Sequence, residues 1–222
     1  MKKALTLSLS FAAASGFASG SLVFITPNTV FTNASDFFPA ANLIQGPGVG
    51  FQDSEPYDRL SGGADGTWVT NDPGGFPSDY IAVAGPVVIT LDLGSDVTLG
   101  QIHTWGYSDT NANGVSVFSL RFATDADGPG GFGTSISYNP TFSMTVDQTP
   151  MQTNPFDRFV DARYVEFTTD DNYFVAPGNG STGGLAGGDR VGLGEISFTS
   201  VPEPTTGLLA FAGLALLARR RR

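Results

Sequence analysis

The chemistry open to this chain is narrow, because the residues that most often carry catalysis are absent or stand alone. Its 222 residues include no cysteine and a single histidine, His103. A nucleophile needs a base beside it, so most nucleophile–base pairs are excluded, and no Gly-x-Ser-x-Gly, phosphate loop or zinc-ligand spacing occurs. His103 sits in an apolar run beside Ile102 and Trp105. It reads as a hydrogen-bonded sheet residue, since the partners that give histidine a function are missing. Paired carboxylates could hydrolyse a glycosidic bond if their environments held their pKa values apart. No pair among the acids stands out from the sequence, so the chain is expected not to be an enzyme.

Two binding chemistries remain. Calcium takes six to eight hard oxygen ligands from irregular loops, and Asp53-Ser-Glu-Pro-Tyr-Asp58 and Asp125-Ala-Asp127-Gly128 supply such oxygens. Neither is a complete EF-hand loop, and Asp-x-Asp-Gly also marks plain turns. A glycan instead needs aromatic faces for its C–H surface and carboxylates or amides for its hydroxyls. Tyr57, Trp68, Trp105, Tyr107, Tyr138, Tyr173 and Phe174 are available. Trp68 and Trp105 lie within strand-like runs and are expected in the core. Tyr107, Asp109 and Tyr173 fall at strand ends or in loops, and they form the candidate ligand-binding set.

The elements that must position these residues read as short strands. Apolar or alternating runs bounded by turn residues occur at 22–25, 30–31, 66–70, 80–83, 86–93, 99–107, 115–123, 134–138, 141–146, 160–168 and 191–199, with a turn expected at Gly94-Ser95-Asp96. Long glycine-rich or acidic stretches separate them, at 45–66, 108–114, 124–133 and 172–188. The chain holds 29 glycines and 14 prolines, and no segment of its body shows sustained helical periodicity. About ten strands without intervening helices predict two antiparallel sheets packed face to face, an all-β sandwich.

Both ends of the sequence read as addresses. Lys2 and Lys3 precede an apolar run from Ala4 to Ala14 and the small residues Ala18-Ser19-Gly20, the layout of a signal peptide over 1–20. A cut after Ala18 or Gly20 is expected, although Ala14-Ser15-Gly16 would also serve. At the other end, over 201–222, Pro202-Glu203-Pro204 is followed by twelve apolar residues from Gly207 to Ala218 and by Arg219, Arg220, Arg221 and Arg222. A helix of that length covers about 18 Å of a hydrocarbon core roughly 30 Å thick, so it anchors briefly and spans poorly. Clustered arginines resist translocation and stay cytoplasmic.

This tail resembles the PEP-CTERM sorting signal, with Pro202, Glu203 and Pro204 at the motif position. The resemblance implies export, transient anchoring in the inner membrane through a short C-terminal helix, cleavage by an exosortase, and a final place at the cell surface or outside it, often together with exopolysaccharide. Between the two addresses, over 21–200, five arginines face 20 acids (all 21 less Glu203), a formal charge of −15. Such a surface repels phosphate backbones, so nucleic acid is excluded as a partner.

Within the body, Val88-Ile-Thr-Leu-Asp-Leu-Gly94 followed by Val97-Thr-Leu-Gly-Gln-Ile-His-Thr-Trp-Gly106 resembles galactose-binding-like domains of the discoidin group. Arg163-Tyr-Val-Glu-Phe167 and Gly188-Asp-Arg-Val-Gly-Leu-Gly-Glu-Ile-Ser-Phe198 resemble that group's closing strand pair, and Trp68 sits where it has an early tryptophan. The resemblance covers roughly 41–198 and implies a jelly-roll sandwich. In it Leu91 and Leu93 face the core, and Val165 and Phe167 pair with Ile196 and Phe198. It also implies a structural calcium ion, with Glu195 as one ligand and Asp36 or Asp53 opposite. The chain lacks the cysteine pair that often ties that fold's ends. The reading as a whole is an exported, non-catalytic surface or matrix protein that binds extracellular polysaccharide. A structural matrix protein without a small-molecule site is the alternative, and a secreted glycoside-active enzyme comes third.

Overall fold

The computed structural model describes residues 23–45, 66–108, 110–147 and 151–200. The expected signal peptide over 1–20, Asp53, Asp109 and the expected C-terminal helix with everything else from Val201 onward lie outside them. The described residues belong to one compact unit, Leu22–Pro202. Its strands are β1 (Val23–Ile25), β2 (Thr29–Thr32), β3 (Asp36–Phe38), β4 (Trp68–Thr70), β5 (Val87–Trp105), β6 (Val115–Ala123), β7 (Thr141–Ser143), β8 (Gln152–Asn172), β9 (Gly192–Leu193) and β10 (Glu195–Ser200). The named strand pairs are all antiparallel. The larger sheet runs β1-β10-β5-β8-β6-β7, with β2 also on β5, and the smaller runs β3-β4-β9. The all-β expectation holds.

The architecture turns on β5 and β8, two long strands paired along most of their length. Alternation writes β5 as a strand: Val87, Ile89, Leu91 and Leu93 are buried while Val88, Thr90 and Asp92 are half-exposed. The ribbon has two register breaks. Asp92 pairs with Tyr164 and Val97 with Ala162, so the four residues Leu93–Asp96 oppose Arg163 alone. Leu99 pairs with Val160 and Gln101 with Pro155, so Phe156–Phe159 bulge out opposite Gly100. Bulges of this kind bend strands and let them pass from one layer to another. The turn expected at Gly94-Ser95-Asp96 is therefore a corner inside one continuous strand. Gly94 has φ +87°, and a Cβ there would sit 2.2 Å from Asn28 Nδ2. The position requires glycine.

The two halves of the ribbon meet again at the far end. Val115 pairs with Asn172 while Gly114 bridges to Gly192, and the Tyr107 ring lies against Gly192. One layer holds β2, the first half of β5, the second half of β8, β6 and β7. The other holds β1, β10, the second half of β5 and the first half of β8. The core lies between them, with the Phe118 and Phe167 rings stacked at 4.4 Å and Leu91, Leu99, Val165, Ile196 and Phe198 fully buried.

Several expectations need correction. Val165 and Phe167 pair with Leu91 and Ile89, whereas Ile196 and Phe198 pair with Thr104 and Ile102. The two sets belong to opposite layers, so they share the core rather than a ladder. The run at 191–199 splits at Gly194 into β9 and β10, which join different sheets. The run at 80–83 is a one-turn helix, α1 (Tyr80–Ala84), because the Asp79 carboxylate accepts the Ala82 N–H and caps it. The run at 134–138 is not a strand, and the residues at 40–44 form a 3-10 turn.

Candidate functional site

At the corner end, three segments converge: the Leu93–Asp96 corner, the β6–β7 connection after Ala123, and the Phe156–Phe159 bulge. The first two are tied together by charge. The Arg163 guanidinium donates to both Asp92 oxygens, at 2.8 and 3.0 Å, and to Asp125 Oδ1 at 2.6 Å, while Asp96 Oδ1 accepts the Asp125 N–H at 2.8 Å. The Arg163 hydrogen bonds hold the Asp92 carboxyl below its ordinary range, and those carboxylates in turn push the guanidinium pKa up. Asp127 folds the connection on itself, accepting the Thr124 N–H and hydroxyl and the Ser135 hydroxyl, which depress its pKa. The carboxylates of Asp125-Ala-Asp127-Gly128 are thus engaged within the protein, one by Arg163 and one by its own loop.

The connection and the bulge enclose an open groove of about 390 Å³, with Thr124, Ser135 and Ile136 on one side and Arg158, Phe159, Val160 and Asp161 on the other. Register explains why β8 presents these side chains. The bulge sends Phe156 inward, packed on Phe122 and Tyr138, and leaves Phe159 outward at 66% exposure. Arg158 lies over the Tyr138 ring at 4.9 Å, a cation–π contact that fixes a long side chain at the groove's rim. Tyr138 in turn accepts the Asp157 N–H at 2.9 Å. The Thr98 hydroxyl donates to one Asp161 oxygen. Arg121, Arg163 and Arg190 each have a carboxylate within 4.0 Å, and among the described residues no ion pair involves Arg158. An exposed ring beside a cation and a half-engaged carboxylate can cover a sugar face while donating to and accepting from its hydroxyls.

Tyr107, Tyr173, Asp36 and Glu195, singled out from sequence, are not among the residues lining this groove. Tyr107 and Tyr173 do come together, on either side of Gly114 at the opposite end. Tyr107 is 8% exposed. Tyr173 is half-buried, donates its hydroxyl to the Met144 carbonyl at 2.7 Å, and is pushed up to about 12 by burial. Asp109, the third of that set, is outside the described residues. Asp36 accepts the Trp68 indole N–H at 2.9 Å and the Ala40 N–H at 3.1 Å. Glu195 is 2% exposed, opposite Trp105, and Asp53 is not described. Among the described residues no three His, Cys, Asp or Glu side chains converge on a common point.

Trp68 and Trp105 are fully buried, as expected. His103 has Thr153 and Thr199 hydroxyls on its two ring nitrogens, and burial lowers its pKa to about 4. Among the described residues the shifted carboxylates, Asp72, Asp92 and Asp127, all move down, the opposite of what a general acid needs. Phe159, Asp161, Thr124 and Ser135 were not singled out from sequence, and Arg158 entered only as a charge. The available signal was the Arg158-Phe159 pair between Pro155 and a β run.

Residues 200–222 match the family described as the PEP-CTERM protein-sorting motif. No curated protein matches the chain. Among solved structures, the chain is similar to a family 32 carbohydrate-binding module of Clostridium perfringens NanJ in complex with galactose, with 14% identity, 80% of this chain and 100% of that one covered, and a TM-score of 0.47. It is also similar to the family 32 module of AlyQ in complex with 4,5-unsaturated mannuronic acid, with 18% identity, 79% and 97% coverage, and a TM-score of 0.46. A third is the lectin domain of lectinolysin complexed with Lewis B antigen, with 15% identity, 77% and 90% coverage, and a TM-score of 0.46.

Proposed function

We propose that this is an exported surface protein that binds polysaccharide without modifying it, and that an exosortase processes it at the Pro202-Glu203-Pro204 motif. The observation that carries the binding half is the groove, where exposed Phe159 stands beside Arg158 and Asp161. An aromatic face with flanking hydrogen-bond groups on a preformed scaffold suits a chain of sugar rings. The only cofactor the reading allows is a structural calcium ion, for which Asp36, Asp53 and Glu195 remain the proposed ligands. Tyr107, Asp109 and Tyr173 take no part in this reading. The sorting half rests on the motif match at 200–222, and in this reading the folded body stands outside the inner membrane. Titration of the full-length chain with the producing cells' polysaccharide tests the binding half, and loss of binding in Phe159→Ala assigns it to the groove.

A further inference from the structure

We infer that Asp127 is a positioning residue that fixes the Thr124 and Ser135 hydroxyls as acceptors toward a ligand, so that the groove takes stretches of neutral glycan with free hydroxyls and rejects stretches whose hydroxyls carry acyl esters. The inference rests on the polysaccharide reading above and names which part of a polysaccharide the same groove selects.

Proton placement carries the argument. Asp127 Oδ2 accepts from the Ser135 hydroxyl, from the Thr124 hydroxyl at 2.9 Å and from the Thr124 N–H at 3.1 Å. An ionised carboxylate only accepts and a hydroxyl has one proton, so both hydroxyls direct that proton at Asp127. The Ser135 hydrogen bond, followed by those of Thr124, holds the carboxyl below its ordinary range and so keeps it an acceptor at neutral pH. Thr124 and Ser135 line the groove, whereas Asp127 is not among the lining residues. The two hydroxyl oxygens have only lone pairs left for a ligand. Thr124 Oγ1 uses one on the Asp127 N–H at 3.2 Å, and among the described residues nothing donates to the exposed Ser135 Oγ.

The opposite side adds Asp161, of which one oxygen accepts the Thr98 hydroxyl and the other still accepts, and Arg158, which only donates. Acceptors therefore outnumber donors around the groove. A sugar hydroxyl brings the proton that the Thr124 and Ser135 side lacks. An O-acyl ester sets further acceptors against it, and a site built to accept a hydroxyl proton discriminates against a ligand without one. A densely anionic chain fares no better, because the body already carries a large negative charge.

The test uses oligosaccharides from the producing cells' polysaccharide in two forms, stripped of esters by mild alkali and then partially O-acetylated, each titrated into the full-length chain. The parent should bind the free-hydroxyl form about tenfold more tightly than the acetylated form. Asp127→Ala substitutes no groove-lining residue but lets both hydroxyls turn, so the preference should fall to about twofold. Asp127→Asn, whose amide oxygen still accepts, should keep the parent's preference. Should Asp127→Ala fail to fold, Ser135→Ala carries the test instead: it removes one acceptor and should weaken the free-hydroxyl form about fivefold while leaving the acetylated form unchanged. Equal binding of the two forms by the parent overturns the inference and leaves the polysaccharide reading standing. An undiminished preference in Asp127→Ala traces it to the bulk of the acetyl group and overturns the role given to Asp127. Unchanged binding of the free-hydroxyl form by Ser135→Ala overturns the acceptor wall. Absence of binding to either form by the parent removes the polysaccharide reading and this inference with it.

Discussion

The Arg158 guanidinium lies 4.9 Å from the centre of the Tyr138 ring. The same ring stacks on Phe122 at 5.9 Å, so a rim cation is braced by a core aromatic. That relationship makes Arg158 a rigid donor rather than a waving surface chain, and rigidity reduces the entropy lost on binding.

Arg158→Gln should weaken polysaccharide binding by about tenfold, the size of a cation–π and charge-assisted contact in a half-solvated site. The side chain is exposed, so thermal stability should stay within about 0.5 kcal/mol of the parent. Calorimetry on both proteins checks the two numbers together. A large loss of stability with unchanged binding would assign Arg158 to the fold.

Asp36→Ala should destabilise the body by about 1–3 kcal/mol, because it orphans the N–H of a fully buried indole. The Trp68 emission should shift with it, and urea titration followed by fluorescence gives both readouts.

His103 predicts a pH dependence with a definite sign. Its folded pKa, about 4, lies below the ordinary 6.5. The unfolded chain therefore takes up a proton first as pH falls, and the folded state loses stability from about pH 6.5 down to about 4, levelling off below. The full loss is about 3 kcal/mol. Lowered carboxylates such as Asp92 add losses only from their ordinary 3.8 downward, so the upper window belongs to His103. His103→Gln should flatten stability between pH 6.5 and 4 in urea denaturation series.

Pro202→Ala combined with Glu203→Ala should leave the chain unprocessed in the envelope, visible as a persistent longer species on immunoblots. Normal maturation of that variant would refute the sorting reading.

Much of the fold could be read from residue order, and the reasons for the misses are physical. Alternation at Val87–Leu93 and Val115–Ala123 marks strands because one face meets the core. Gly94-Ser95-Asp96 carries turn chemistry, yet the ladder to β8 resumes at Val97, so a local signal for reversal produced a corner. Ile196 and Val165 are equally apolar in either sheet arrangement, and composition cannot say which layer each joins. The groove depends on four residues of β8 opposing Gly100, a register fact that no single segment encodes. Tyr107 and Tyr173 were plausible because they sit at strand ends; Gly114 and Gly192 let their rings pack inward instead.

The Phe159 groove is the proposed seat of a sugar chain. The most direct test is calorimetric titration of oligosaccharides from the producing cells' polysaccharide into the full-length protein, beside Phe159→Ala. Saturable binding that weakens at least about tenfold in the variant is expected, the scale of losing one aromatic stacking face. Saturable binding of equal strength in both proteins would contradict it, and so would the absence of binding to the parent.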